Sequence, residues 1–387
     1  MNDTITVIGG GISGITTAFT LQLLGFKTSC YSKHFVTPEA PDNPRFASLY
    51  PAASIIPHSV FSNQSEKLFQ HSQSIFKLLL KHKVKGIKKH LHYEIYEFEK
   101  DDPSYAKSLE NYQRVENLNT HKLQIPSRLH APNLHGWAFK CIVAEWPTYI
   151  SNLYNWYEKA GGELVQQKVD PQDIKNLKSN VIINCTGIWS SKLFDDSAPL
   201  KVVKGHLLYI HDAPLFKDDQ GNIPSYNYTP HNNIYTDPQG NPTDVYCYPR
   251  TTGLALGGSR EKGIINESGI FIGEENSDTI EMGGLNIPRQ IYELNKEILL
   301  NTYDFDIRKY SSLEAKAAYR YIRSEDRDGL RIDTSKEFGK KIIHNYGHGG
   351  AGVTLSWGCA LEVAQKINDF KLHELSNKLN HLLNKIV

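Results

Sequence analysis

The chain has no surplus of charge of either sign: 43 lysines and arginines stand against 42 aspartates and glutamates, a formal net charge of +1 over 387 residues. That balance excludes the broad electrostatic footprint of a nucleic-acid or anionic-membrane binder, and a small molecule is the expected partner. Cysteine is sparse. The five present, Cys30, Cys141, Cys185, Cys247 and Cys359, lie far apart and form no CxxC pair. This argues against a disulfide framework, a zinc knuckle or a dithiol couple and for buried reduced thiols. His344 and His348 have no accompanying carboxylate or cysteine cluster, so no metal site is expected. Long apolar runs are missing as well. Glycines and polar residues interrupt the stretch from Ile5 to Phe26 and no basic leader precedes it, so neither a signal peptide nor a membrane span is expected. The last residues, Asn384-Lys385-Ile386-Val387, are not a peroxisomal SKL-type address, and a cytoplasmic location is the resulting expectation. Repeats and low-complexity segments are lacking.

What the chain does have is glycine at both ends. Near the N-terminus an apolar strand, Ile5 to Ile8, runs into Gly9-Gly10-Gly11-Ile12-Ser13-Gly14. This GxGxxG places one glycine in the turn, a second where backbone approaches a pyrophosphate and a third where helix packs on strand. Near the C-terminus, Ile343 to Thr354 carries four glycines before a helical pattern, a loop whose backbone N–H groups can crowd a ligand. One large cofactor lying between the two is the economical reading.

At this length two joined domains are expected. The strand from Thr4 to Ile8, a helix from about Ser13 to Leu24 closed by Gly25, and a strand from Lys27 to Tyr31 make one βαβ unit. Helices are expected from about Glu66 to Lys83, from Pro147 to Ala160, from Pro288 to about Tyr303, around Leu313 to Ala318, and from Thr354 to Asn368. Strands are expected at Leu164–Val169, Val181–Asn184 and Lys341–Asn345. From Lys201 to about Gly258 the pattern turns to strands, clearest at Val202–Ile210, Val245–Tyr248 and Leu254–Gly257, which reads as a mainly antiparallel second domain. The return of strand and helix at the C-terminus makes the nucleotide-binding domain discontinuous. The acidic residue that would hold a ribose after the second strand is missing, since the chain there reads Tyr31-Ser32-Lys33-His34.

Taken in order, GGGISG, NCTGIWSS, VYCYPRTTGLALGG, AYRYIR and IHNYGHGGAGVTLSWGCALE resemble the FAD-dependent D-amino-acid oxidase and D-aspartate oxidase family over nearly the whole chain. The resemblance implies an α/β protein. A discontinuous, Rossmann-like FAD-binding domain (1–58, 140–200 and 325–387) would accompany a mainly antiparallel α+β substrate domain (59–139 and 201–324). It implies non-covalent FAD, a D-amino acid and oxygen as small-molecule partners, hydride transfer from Cα to flavin N5, and 2-oxo acid, ammonia and hydrogen peroxide as products, with acidic D-amino acids within range. A homodimer is open.

Residue by residue, Gly349, Gly350, Ala351, Gly352, Val353 and Thr354 align with the family's flavin loop, Gly350 among the catalytic positions; N–H donors there would meet charge developing on a reduced ring. Gly9, Gly11, Ile12, Ser13 and Gly14, with Ser48, Ala52, Ala53, Ser54, Val169, Thr186 and Gly187, complete the implied cofactor set. Thr354 offers a hydroxyl donor or a helix N-cap. Arg320 matches the arginine that grips the substrate carboxylate through paired hydrogen bonds, with Arg323 the nearest competitor. Tyr246 matches a tyrosine donating to that carboxylate. A second family tyrosine falls at Pro242, leaving Tyr228, Tyr235 or Tyr248 as substitutes, Tyr248 facing the same way as Tyr246 by strand alternation. Arg260, after Gly257-Gly258, resembles the D-aspartate oxidase branch and is implied to meet a side-chain carboxylate, with a surface position near Glu261 as the alternative. Lys204-Gly205-His206 resembles the family's strand start near the flavin. A glycine or sarcosine-type amine oxidase and a catalytically silent flavoprotein remain the alternatives.

Overall fold

Val7 sits at the middle of a row of buried residues, Ile343, Ile183, Val7 and Cys30, contributed by four adjacent parallel strands. Such continuous burial is what apolar runs without alternation produce when both faces of a parallel sheet are covered. The six-stranded sheet runs Thr334–Glu337, Lys340–His344, Val181–Asn184, Ile5–Ile8, Thr28–Ser32, Glu163–Gln166, and only the first, an edge strand, is antiparallel to its neighbour. These facts come from a computed structural model, which describes residues 4–57, 62–115, 124–131, 133–194, 196–198, 201–323 and 329–386.

The chain divides into two units, one made of 1–88, 144–201 and 320–387 and the other of 89–143 and 202–319. In the first, the helices Ile12–Leu23 and Gly352–Gln365 are buried along almost their whole length. The helices Ser65–Lys81 and Thr148–Lys159 each bury one face, as their amphipathic spacing requires. Trp357 shows how tight this layer is: its ring meets Phe19 edge-on and its indole N–H donates to the Tyr149 hydroxyl at 2.8 Å. One residue on, a Cβ on Gly358 would lie 2.1 Å from the Leu68 carbonyl, so two helices touch there through backbone.

The second unit is built on a ten-stranded sheet. Alternation sends Tyr93, Ile95, Tyr226, Tyr228, Val245 and Cys247 to one face, where they pack with Ile291, Leu294 and Ile298 of the helix Arg289–Tyr303. The opposite face therefore carries His92, Glu94, Asn227, Tyr246 and Tyr248.

Three expectations are corrected. Leu313–Ala318 is not a helix but the start of the strand Leu313–Ile322, which pairs with Lys201–Ile210. Its Leu-Glu-Ala-Lys-Ala-Ala sequence favours helix locally, and the open edge of a long strand overrides that preference. Val169 lies beyond its strand, which ends at Gln166, and packs instead with Ile8, Ile174 and Ile182. Thr354 is not an N-cap, because the helix already begins at Gly352 with Ala351 as its cap.

Candidate functional site

The first strand delivers the chain directly into the glycine turn, and the turn is too tight for any side chain. A Cβ on Gly14 would stand 1.6 Å from the Gly9 carbonyl oxygen, and one on Gly9, whose φ is +113°, would stand 2.3 Å from the Cys185 carbonyl. The helix that follows has Gly11 at its cap, no side-chain cap and no carboxylate in its first turn, so its positive end is left for an outside anion. Ser48 Oγ accepts the Ile12 N–H at 3.0 Å and lies against Gly11, which brings the segment around Ser48 to the same turn. Tyr154 donates its hydroxyl to the Gly10 carbonyl at 2.7 Å while Phe35 closes on the Cα of Gly10, two contacts no motif announced.

The C-terminal glycine loop arrives at this same place. Ser13 Oγ lies 3.3 Å from His348 Nδ1, the other ring nitrogen of His348 bonds Asn345 Oδ1 at 3.0 Å, and Asn345 Nδ2 donates to Thr17 Oγ1 at 3.0 Å. Burial pushes the His348 pKa down to about 4, so it works here as a neutral hydrogen-bonding bracket. Gly349, at φ +55°, and Gly350 keep their backbone open to solvent, while Ala351 is buried behind them. A Cβ on Gly352 would be 3.6 Å from Ile12, so two helix N-termini face one region. Thr354, 3 % exposed, donates its hydroxyl to the Ser54 and Ile56 carbonyls at 3.1 Å each. It thereby fixes Ala52, Ala53 and Ser54 beside the loop, with Ala53 held at φ +66°. Thr186 and Gly187 follow the strand Val181–Asn184, and the Thr186 hydroxyl is anchored on Asn184 Oδ1 at 2.7 Å. Two glycine-lined helix starts, an exposed loop backbone and a rim of small residues fit an extended dinucleotide such as FAD. Lys33 is exposed and His34 half-buried, and the Ser32 hydroxyl is used locally on the His34 carbonyl.

Two arginines three residues apart have different surroundings. Arg323 binds Asp196 through Nε at 2.9 Å and Nη2 at 3.3 Å, and the Tyr346 hydroxyl joins the same carboxylate at 2.5 Å. Burial raises the Asp196 carboxyl, but Arg323 and Tyr346 outweigh it and hold it below the usual carboxylate range. Arg323 is therefore a structural ion pair. Arg320 sits half-buried on the strand Leu313–Ile322.

In the other unit Tyr246 stands in register between Asn227 and Gly257, and a Cβ on Gly257 would meet its ring at 2.3 Å. Tyr248 faces the same way, as alternation predicts; its ring centroid is 5.5 Å from that of Tyr246 and its hydroxyl donates to Asn227 Oδ1 at 2.8 Å. Tyr235 and Tyr228 are turned to structural work, donating to the Gly258 carbonyl and to Glu97. Arg260 pairs with Asp244 rather than Glu261, while buried Glu261 receives Lys204 at 3.2 Å. His206 takes its place through Ser259, whose hydroxyl lies 2.9 Å from Nδ1. Among the described residues no group of three or more His, Cys, Asp or Glu is placed to hold a metal ion, and no helix is long and apolar enough to cross a membrane. The five cysteines are free thiols, and burial makes Cys30, Cys185, Cys247 and Cys359 hard to ionise, Cys185 being pushed to about 12.

The family described as DAO, FAD dependent oxidoreductase, matches residues 4–366. A D-amino acid oxidase of Dugesia ryukyuensis is 26% identical over 378 residues, 95% of this chain and 98% of that protein. A D-amino-acid oxidase of Rubrobacter xylanophilus is 29% identical over 231 residues, 59% of this chain but only 58% of that protein. Among solved structures, iminodiacetate oxidase from Chelativorans sp. BNC1 has the same fold, with a TM-score of 0.62 at 14% identity, covering 94% of this chain and 95% of that one.

Proposed function

The chain belongs to the FAD-dependent oxidoreductases of the DAO family, and from that premise we propose that it oxidises D-amino acids, giving a 2-oxo acid, ammonia and hydrogen peroxide from substrate, oxygen and water. The observation that carries this reading is the meeting of the GxGxxG turn with the C-terminal glycine loop at Ser13 and His348, together with relatedness along almost the full length of a D-amino acid oxidase.

Bound FAD supplies a two-electron acceptor for the Cα–H and returns the pair to oxygen. The residues hold and orient. The positive end of the helix Ile12–Leu23 and the glycine-turn N–H groups, except those of Gly9, bonded to the Tyr31 carbonyl, and Ile12, bonded to Ser48, would take the pyrophosphate, with Ser48, Thr186 and Gly187 beside it. Backbone N–H groups of the loop from Gly349 to Thr354, Gly350 among them and that of Ala351 excepted because it bonds the His348 carbonyl, would meet charge on the flavin ring, and Ala52, Ala53 and Ser54 would line its edge. Arg320 grips the substrate carboxylate in a planar two-bond contact and Tyr246 adds a hydroxyl, fixing where the Cα hydrogen points. With the substrate amine neutral, no protein base is needed.

The test is anaerobic bleaching of the purified protein's flavin absorbance by D-alanine, D-lysine, D-aspartate, the L-forms, glycine and sarcosine in separate cuvettes. Bleaching by D-amino acids alone supports the reading. Bleaching by glycine or sarcosine alone moves the chain to the achiral-amine oxidases.

A further inference from the structure

Two neighbouring parallel strands place Asn184 and His344 side by side in register at their carboxyl ends, the edge at which such sheets bind ligands. Thr186 follows two residues on. Asn184, Ser190 and His344 are fully buried, while Thr186 is half-buried.

Each proton of this group has one destination. The Asn184 amide is oriented by Thr186, whose backbone N–H and hydroxyl both donate to Oδ1, at 3.1 and 2.7 Å. Nδ2 is thereby turned toward Ser190 Oγ at 3.3 Å and His344 Nδ1 at 3.0 Å. An amide nitrogen only donates, so His344 Nδ1 accepts. The far side of the ring agrees: Nε2 lies 2.9 Å from Ser335 Oγ, which gives its own proton to Glu337 Oε1 at 2.6 Å, so Nε2 carries the single ring proton. Burial, with Arg331 adding to it, pushes the His344 pKa down to about 4 and keeps the ring neutral.

Ser190 Oγ is 3.0 Å from Thr186 Oγ1 and 3.4 Å from Asn184 Oδ1, so its proton goes to the nearer oxygen. A closed ring results, from Asn184 to Ser190 to Thr186 and back to Asn184. Its protons are all spent, and Thr186 Oγ1 keeps one lone pair without a partner among the described residues. The amide has one other orientation. With Oδ1 and Nδ2 exchanged, Nδ2 would confront the Thr186 N–H, Oδ1 would face the His344 Nδ1 lone pair, and the Thr186 hydroxyl would accept from Nδ2 and turn its proton outward. His344 Nδ1 opposes that exchange, because a buried acceptor left unmet is costly.

We propose that His344 is a positioning residue for the cofactor: by holding the Asn184 amide in one orientation it makes Thr186 a hydrogen-bond acceptor. Such a threonine matches a hydroxyl or N–H of FAD beside the pyrophosphate, whereas a phosphate oxygen only accepts and cannot meet it. The inference rests on the placement of Thr186 at FAD given above and not on the identity of the substrate.

The experiment measures the FAD dissociation constant from the flavin fluorescence released on dilution of the holoprotein. It compares the wild type, Thr186→Val, His344→Asn and His344→Leu, and each His344 variant combined with Thr186→Val. Asparagine and leucine are nearly equal in size, and only asparagine puts an oxygen near the place of Nδ1. His344→Leu and Thr186→Val are each expected to weaken FAD about tenfold, the scale of one buried hydrogen bond, while His344→Asn stays close to the wild type. In the Thr186→Val background the difference between asparagine and leucine is expected to vanish. Equal affinities of the two His344 variants reduce the histidine to packing and overturn this inference alone, as does a difference that survives in Thr186→Val. FAD held as tightly by Thr186→Val as by the wild type overturns both this inference and the placement of Thr186, even if no His344 variant folds.

Discussion

Ser13 Oγ and His348 Nδ1, 335 residues apart in sequence, lie 3.3 Å from each other. Through this contact the two glycine loops, each able to approach a ligand, become one site. Burial of His348 makes the site sensitive to acid.

His348 has a pKa near 4 in the fold against an ordinary 6.5. The unfolded chain binds the extra proton between those values, so stability is complete above pH 6.5 and falls as pH drops toward 4, by about 3 kcal/mol at most. Thermal denaturation from pH 7.5 to 4.5 should show this loss. The variant His348→Gln should flatten the pH dependence; an unchanged slope would assign the loss to other groups.

Gly14→Ala should abolish flavin binding or soluble expression, because its Cβ would have to occupy space 1.6 Å from the Gly9 carbonyl. Gly352→Ala meets only an ordinary contact at 3.6 Å and should fold. The ratio of flavin to protein absorbance after purification compares them, and equal ratios would mean the turn is not packed as described.

Arg320→Ala should abolish turnover while leaving the protein yellow. Arg323→Ala leaves the buried Asp196 without its cation and should cost about 3 kcal/mol of stability. Stability and turnover measured on both variants separate the roles. A reversed pattern would exchange the two arginines.

Tyr246→Phe keeps the ring that packs on Gly257 and removes only the hydroxyl. The expected result is a KM for the D-amino acid raised about tenfold, the scale of one hydrogen bond to a charged group, with kcat changed less. An unaltered KM would remove Tyr246 from carboxylate binding.

The sequence alone determined the parts that depend on local chemistry. Strand followed by GxGxxG followed by an apolar helix is legible because turn, close approach and burial each demand a particular residue type. The clear runs at Val181–Asn184 and Val245–Tyr248 announce strands for the same reason, the second running on to Arg250 in the fold. Where local preference and long-range pairing disagree, only the tertiary structure decided: Leu313–Ile322 has helix-forming residues yet completes a sheet edge. The strands Ile87–Tyr96 and His135–Ala144, rich in histidine, lysine and glutamate or mixed in polarity, gave no clean alternation. Most of the site's electrostatics were likewise invisible in one dimension. That Arg323 binds Asp196, that Asp244 binds Arg260, and that Glu94 shares a row with Tyr246 follow from strand register and from contacts between residues far apart in sequence. Charge is written in the sequence, but which charge meets which is set by packing.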